Sequence, residues 1–129
     1  MIRPAVLRPG ARIALVSPAG PLAEGAVRRA AERVLGWGWE PRVGTHAAGR
    51  RGYFAASDGE RAADLNAAIR DPGIAAIWCL RGGYGTMRIL DAVDWDGWCA
   101  RPVPLIGFSD NTALHLALRR RSVVSLHGP

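Results

Sequence analysis

Ser109 follows the apolar run Val103-Pro104-Leu105-Ile106-Gly107 in the segment Gly107-Phe108-Ser109-Asp110-Asn111. A buried strand ending in a sharp turn with serine at its tip, backed by a helix, is a nucleophile elbow. Such a turn exposes the hydroxyl, and the free N–H groups of the helix start can hold a developing oxyanion. The fit to G-x-S-x-G is incomplete, because Asn111 stands where the second glycine would be. The same residues have a plainer use, with Ser109 or Asp110 capping the helix. A second glycine-rich segment, Arg81-Gly82-Gly83-Tyr84-Gly85, also joins an apolar run to a helical pattern. Its glycines let backbone N–H groups approach a bound oxyanion or phosphate, or they serve the turn alone. It has neither the Gly-Lys-Ser/Thr of a Walker loop nor the G-x-G-x-x-G spacing.

A serine hydroxyl needs a base. His127 closes the last apolar run on the same edge as Ser109 and is the one histidine placed to reach it, although a structural or substrate-contacting role competes. His115 lies mid-helix among Leu114, Leu116 and Leu118, a packed position, and His46 falls in an irregular stretch where exposure is expected. Cys79 and Cys99 are too few and too separated for a disulfide scaffold or a zinc site. Cys79 ends an apolar run and reads as a small buried side chain. An amidotransferase-like nucleophile at Cys79 is the rival, with the glycine-rich turn starting only at Gly82 and no visible base. No metal or organic cofactor is indicated.

The elements that must position these groups alternate. Strands are expected at Arg12–Val16, Glu40–Val43, Ile74–Leu80, Val103–Gly107 and Ser122–Leu126. Helices are expected over Leu22–Leu35, from Ser57 to Asp71, through Met87–Leu90, and over Thr112–Arg120. Ser57-Asp58-Gly59-Glu60 has the S-x-x-E form of a capping box. The polar, Gly-rich stretch from Gly44 to Ser57 lacks the periodicity of an element. Short loops between alternating strands and helices imply one α/β domain over residues 1–129, a parallel sheet of about five strands flanked by helices. In such sheets ligands gather outside the C-terminal strand ends. Ser17–Pro21, Arg81–Gly85 and Gly107–Asn111 all fall there.

Apolar residues make up 49% and charged residues 22%, the balance of an ordinary globular protein. The net charge of +6 comes from 17 basic residues, all arginine and spread along the chain apart from Arg119-Arg120-Arg121. A basic run at a helix C-terminus suits the helix dipole, and no nucleic-acid module accompanies it. Neither nucleic-acid nor membrane partners are expected. No run approaches the roughly 18 apolar residues of a bilayer span, and no signal-peptide core is visible, so a cytoplasmic location is expected.

Taken together, these segments resemble the LD-carboxypeptidase family, which includes microcin C immunity peptidases. The matching text is Leu15-Val16-Ser17-Pro18-Ala19-Gly20, Gly52-Tyr53-Phe54-Ala55, Ser57-Asp58, Glu60 to Leu65, Arg81 to Gly85, Leu90-Asp91, Asp94-Trp95, Ile106 to Asp110, Thr112 to His115 and His127-Gly128-Pro129. It runs collinearly over nearly the whole chain. The resemblance implies a Ser-His-Glu serine peptidase with Ser109 as nucleophile. It also implies an oxyanion hole from the backbone N–H of Asp110 with that of Gly82 or Gly83. On this reading Arg81 is expected to help bind the substrate carboxylate and Tyr84 to contact the substrate. The family's His and Glu come from a C-terminal domain beyond these 129 residues, so that domain is an expected partner and the chain alone is expected to be inactive.

The activity implied is release of a terminal D-amino acid from muropeptides, by cleavage at an L-D amide bond through an acyl-enzyme on Ser109. The alternatives are a non-catalytic peptide-binding fragment and a microcin-type, antibiotic-degrading peptidase. Loss of a partner domain is expected to expose apolar surface near the active edge, at Trp95 or Trp98, and to favour self-association, including a homodimer.

Overall fold

Runs of branched and small apolar residues become strands buried on both faces. In the computed structural model, which describes residues 1–129, the first is β1 (Arg12–Val16), buried at every position after Arg12. It pairs in parallel with β2 (Glu40–Val43) on one side and β3 (Ile74–Cys79) on the other. Beyond β3 lie β4 (Leu105–Gly107) and then β5 (Leu126–His127), also parallel, giving the order β2-β1-β3-β4-β5. Strand order therefore reverses between β1 and β3, the place where open α/β sheets form their crevice.

Right-handed crossovers put α1 (Ala26–Gly36) on one face and α2 (Asp58–Arg70), α3 (Trp95–Ala100) and α4 (Thr112–Arg120) on the other. The smaller core, Ile13, Leu15, Val34 and Ala76, lies under α1. The larger one joins Val16, Leu65, Ile69, Ile77, Leu105, Leu114 and Leu118 beneath the other helices. Both members of the capping box at α2 are formed, Glu60 N–H to Ser57 Oγ at 3.1 Å and Ser57 N–H to Glu60 Oε1 at 3.1 Å.

Several expectations need correction. The first helix begins at Ala26 rather than Leu22, after a turn at Gly25. The segment Thr86–Ala92 is a 3₁₀ helix, and α3 forms where only a connection was expected, with Asp94 capping Gly97 N–H. The last strand is two residues long, because residues before it serve other partners. Val123 bridges Ile2 near the N-terminus and Ser125 Oγ lies 2.6 Å from His115 Nδ1. Trp98 is fully buried, stacked on Trp95 at 5.7 Å and donating to the Val103 carbonyl. Trp95 is half-buried and lines a cleft with the exposed Met87 and Leu116, and another exposed apolar side chain, Trp37, stacks on the half-buried Trp78 at 5.6 Å.

Two buried polar side chains lock the loops at the C-terminal edge. Arg61 of α2 donates to the carbonyls of Ala56 (3.1 Å), Pro18 (2.5 Å) and Gly85 (2.9 Å), and pairs with Asp58. Burial pulls its pKa down, and Asp58 opposes that shift. His115 of α4 donates from Nε2 to the Gly107 carbonyl at 2.9 Å, leaving Nδ1 to accept from Ser125. Burial lowers the His115 pKa, the Gly107 bond opposes this, and His127 adds to it.

Replacing Arg61 with Met strands three buried carbonyls and should cost about 3 kcal/mol, read as a fall in denaturant midpoint at constant slope. For His115 the unfolded chain takes up the proton at higher pH than the folded one. Its contribution is therefore present above about pH 6.5 and lost progressively below it. Unfolding free energy of the native chain should fall between about pH 7 and pH 5, a slope that His115→Gln should flatten.

Candidate active site

Ser109 sits where β4 gives way to α4. Phe108 is still extended, Ser109 turns to φ 58°, and Asp110 and Asn111 continue as a 3₁₀ turn into the helix. A left-handed serine is a strained backbone, costing about 1–2 kcal/mol, and it leaves the side chain exposed at the sheet edge. Neither Ser109 nor Asp110 caps α4, which has no side-chain cap bond. The Asp110 carboxylate instead accepts from Thr86 N–H at 2.9 Å, across the crevice.

Gly82 lies directly against this turn. A Cβ there would fall 2.7 Å from Ser109 Cβ, 2.9 Å from its hydroxyl oxygen and 3.3 Å from Asp110 N. Space alone demands glycine at this point. The Gly82 carbonyl accepts from Gly20 N–H at 2.9 Å, and all peptide bonds are trans, so Gly83 N–H points away from Gly20. The Arg81 carbonyl accepts from Asn111 Nδ2 at 3.0 Å, so Gly82 N–H points away from Asn111.

Asn111 explains the departure from G-x-S-x-G. It is fully buried, and its amide joins the Arg81 carbonyl to the Thr86 hydroxyl (3.3 Å). A glycine could not make that bridge. Thr86, Asp110 and Asn111 thus bind the two glycine-rich turns together, a role that the sequence signalled only as a mismatch at position 111. Gly85, at φ 125°, brings its carbonyl to Arg61 where a Cβ would meet Arg61 and the Phe54 ring at 2.8 Å.

The remaining candidates are less free. His127 shares the edge and its backbone pairs with Gly107, but its ring rests 5.5 Å from the His115 ring with no hydrogen bond to Ser109. His46 is not free in solvent: Nδ1 lies 2.9 Å from Asp64 and Nε2 3.1 Å from Glu60. Ser17 is buried and donates to the Ala47 carbonyl at 2.7 Å. Burial pushes the Cys79 thiol up to about 12, which keeps it from acting as a thiolate nucleophile. Tyr84 is exposed, its ring 5.8 Å from Phe54, and lines a cleft with Arg81 beside Gly83. No three His, Cys, Asp or Glu side chains are placed to share a metal ion, and no helix is long and apolar enough to cross a membrane.

Residues 13–128 match the LD-carboxypeptidase N-terminal domain. The chain is 38% identical over 119 residues to the murein tetrapeptide carboxypeptidase of Pseudomonas aeruginosa, covering 92% of this chain and 39% of that enzyme. An MccF-like protein from Bacillus anthracis superposes with a TM-score of 0.92 at 30% identity, over 100% of this chain and 40% of the other. The microcin C7 self-immunity protein MccF bound to aspartyl sulfamoyl adenosine gives a TM-score of 0.92 at 27% identity, over 98% and 39%. The chain therefore spans about two fifths of the length of these relatives. The chain shares its fold along nearly its whole length with these structures, and it belongs to the LD-carboxypeptidase N-terminal domain family.

Proposed function

We propose that Ser109 is the nucleophile of a serine carboxypeptidase that removes a C-terminal D-amino acid from murein peptides. One observation carries the reading: an exposed serine at φ 58° whose hydroxyl faces a glycine that tolerates no side chain. The Ser109 oxygen attacks the scissile carbonyl and its proton passes to a base. The tetrahedral oxyanion is held by backbone N–H groups, and collapse expels the D-amino acid as its amine. Water then hydrolyses the acyl-serine.

Asp110 N–H is one donor to the oxyanion. Gly83 N–H is favoured over Gly82 N–H as the second, because the Gly20 bond to the Gly82 carbonyl turns Gly83 N–H away from Gly20, while the Asn111 bond to the Arg81 carbonyl turns Gly82 N–H away from Asn111, two residues beyond Ser109. Arg81 and Tyr84, beside that loop, contact the substrate. The base and its carboxylate partner come from the remaining part of a longer protein, consistent with the share of the relatives that this chain spans. The name of the Pseudomonas relative supports a murein tetrapeptide as substrate. Likeness to MccF bound to an aminoacyl sulfamoyl nucleotide supports a second reading, cleavage of a peptidyl-nucleotide by the same serine.

A small fluorophosphonate should label the full-length protein at Ser109, and Ser109→Ala should abolish labelling; equal labelling of that variant contradicts the assignment. Gly82→Ala should slow labelling at least about 100-fold, through loss of oxyanion geometry, while the chain stays folded. The 129-residue chain alone should release no D-alanine from a muropeptide tetrapeptide, and robust release would make His127 the base.

A further inference from the structure

We propose that the cleft beside the Ser109 turn is a carboxylate subsite, in which Arg50 joins Arg81 to hold the free C-terminus of the peptide. The inference rests on the Ser109 reading and adds Arg50, from the irregular stretch between β2 and α2.

The cleft, about 510 Å³, is lined by Gly20, Gly83, Tyr53 and Tyr84 together with two arginines. Its charged lining side chains are Arg50 and Arg81, with no Asp or Glu among them. That sets the pair apart from the arginines this chain neutralises. Arg61 and Arg88 share Asp58, Arg70 pairs with Asp94, and Arg12 and Arg42 share Glu40.

Both guanidiniums are also held by neighbouring backbone carbonyls. Arg81 Nη1 donates to the Pro21 carbonyl, and Arg50 Nη2 reaches the next carbonyl, that of Leu22, at 3.4 Å. Consecutive carbonyls thus anchor two like charges near each other. Each guanidinium has five donors, so each keeps N–H groups for a ligand. Two neighbouring cations with spare planar donors fit a carboxylate, which accepts paired hydrogen bonds.

The position matches a carboxypeptidase. Gly82 touches Ser109, and Gly83, the next residue, lines the cleft. In the substrate, the terminal carboxylate lies one residue beyond the attacked carbonyl, a step of about 3.8 Å. Two cations lining the cleft that adjoins the Ser109 turn would select a peptide with a free C-terminus over an internal bond. Glycines among the lining residues leave room for a small residue such as D-alanine.

The test is an NMR titration of this chain with N-acetyl-L-lysyl-D-alanine and with its C-terminal amide, at millimolar concentrations. The acid should shift the Gly83 and Tyr84 amides and bind on the order of tenfold more tightly than the amide. Arg50→Gln should erase that preference and Arg50→Lys should keep part of it. Equal binding of acid and amide, absence of any shift at Gly83, or an Arg50→Gln loss shared equally by both ligands overturns the subsite. Fluorophosphonate labelling of Ser109 in full-length Arg50→Gln separates the two claims. The probe has no carboxylate, so labelling at the native rate leaves the nucleophile standing whichever way the titration falls.

Discussion

The contact between Gly82 and Ser109 is the constraint on which the site depends. Two backbone turns, from strands β3 and β4, approach so closely that a single methyl group between them would sit within 2.9 Å of the serine oxygen. Such an approach leaves peptide groups unable to pair with each other as strands do. The chain supplies their partners one by one: Asn111 for the Arg81 carbonyl, Gly20 for the Gly82 carbonyl and Asp110 for the Thr86 N–H. Arg61 closes the circuit from below by collecting the Pro18, Ala56 and Gly85 carbonyls. No buried side-chain nitrogen or oxygen is left without a partner.

This arrangement explains how a strained serine is maintained. Left-handed backbone at Ser109 is unfavourable by itself, and persists because residues on both sides are fixed. Gly107 packs on Cys79, where a Cβ would fall 3.1 Å from Cys79 Cβ, and its carbonyl is held by His115 and Gly128 N–H. Asn111 is fixed on the other side. The turn therefore cannot relax without breaking contacts in two loops and a helix. His115, expected from the sequence to be packed within its helix, is packed there and holds that carbonyl.

Much of this was legible in the sequence because local chemistry and burial agree there. The apolar runs at Arg12–Val16 and Ile74–Cys79, the capping box at Ser57 and the helix Thr112–Arg120 are each specified by residues within one element. What was not legible depends on long-range partners. Arg61 looks like any helical arginine until Pro18 and Gly85 surround it, and His46 like a loop residue until Asp64 and Glu60 meet its ring. The shortness of β5 follows from the N-terminal segment competing for Val123, which no local pattern records. Asn111 was visible only as a defect in a motif, and the structure turns that defect into a bridge.

In the proposed mechanism, attack at Ser109 places a negative oxygen between Asp110 N–H and Gly83 N–H. A crystal structure of the full-length protein carrying a phosphonate or boronate adduct would show whether it does. The expected result is covalent attachment at Ser109, with one adduct oxygen within about 3 Å of both nitrogens. An adduct on another residue, or an oxygen on Ser109 turned away from the Gly82–Gly83 peptide, would contradict it.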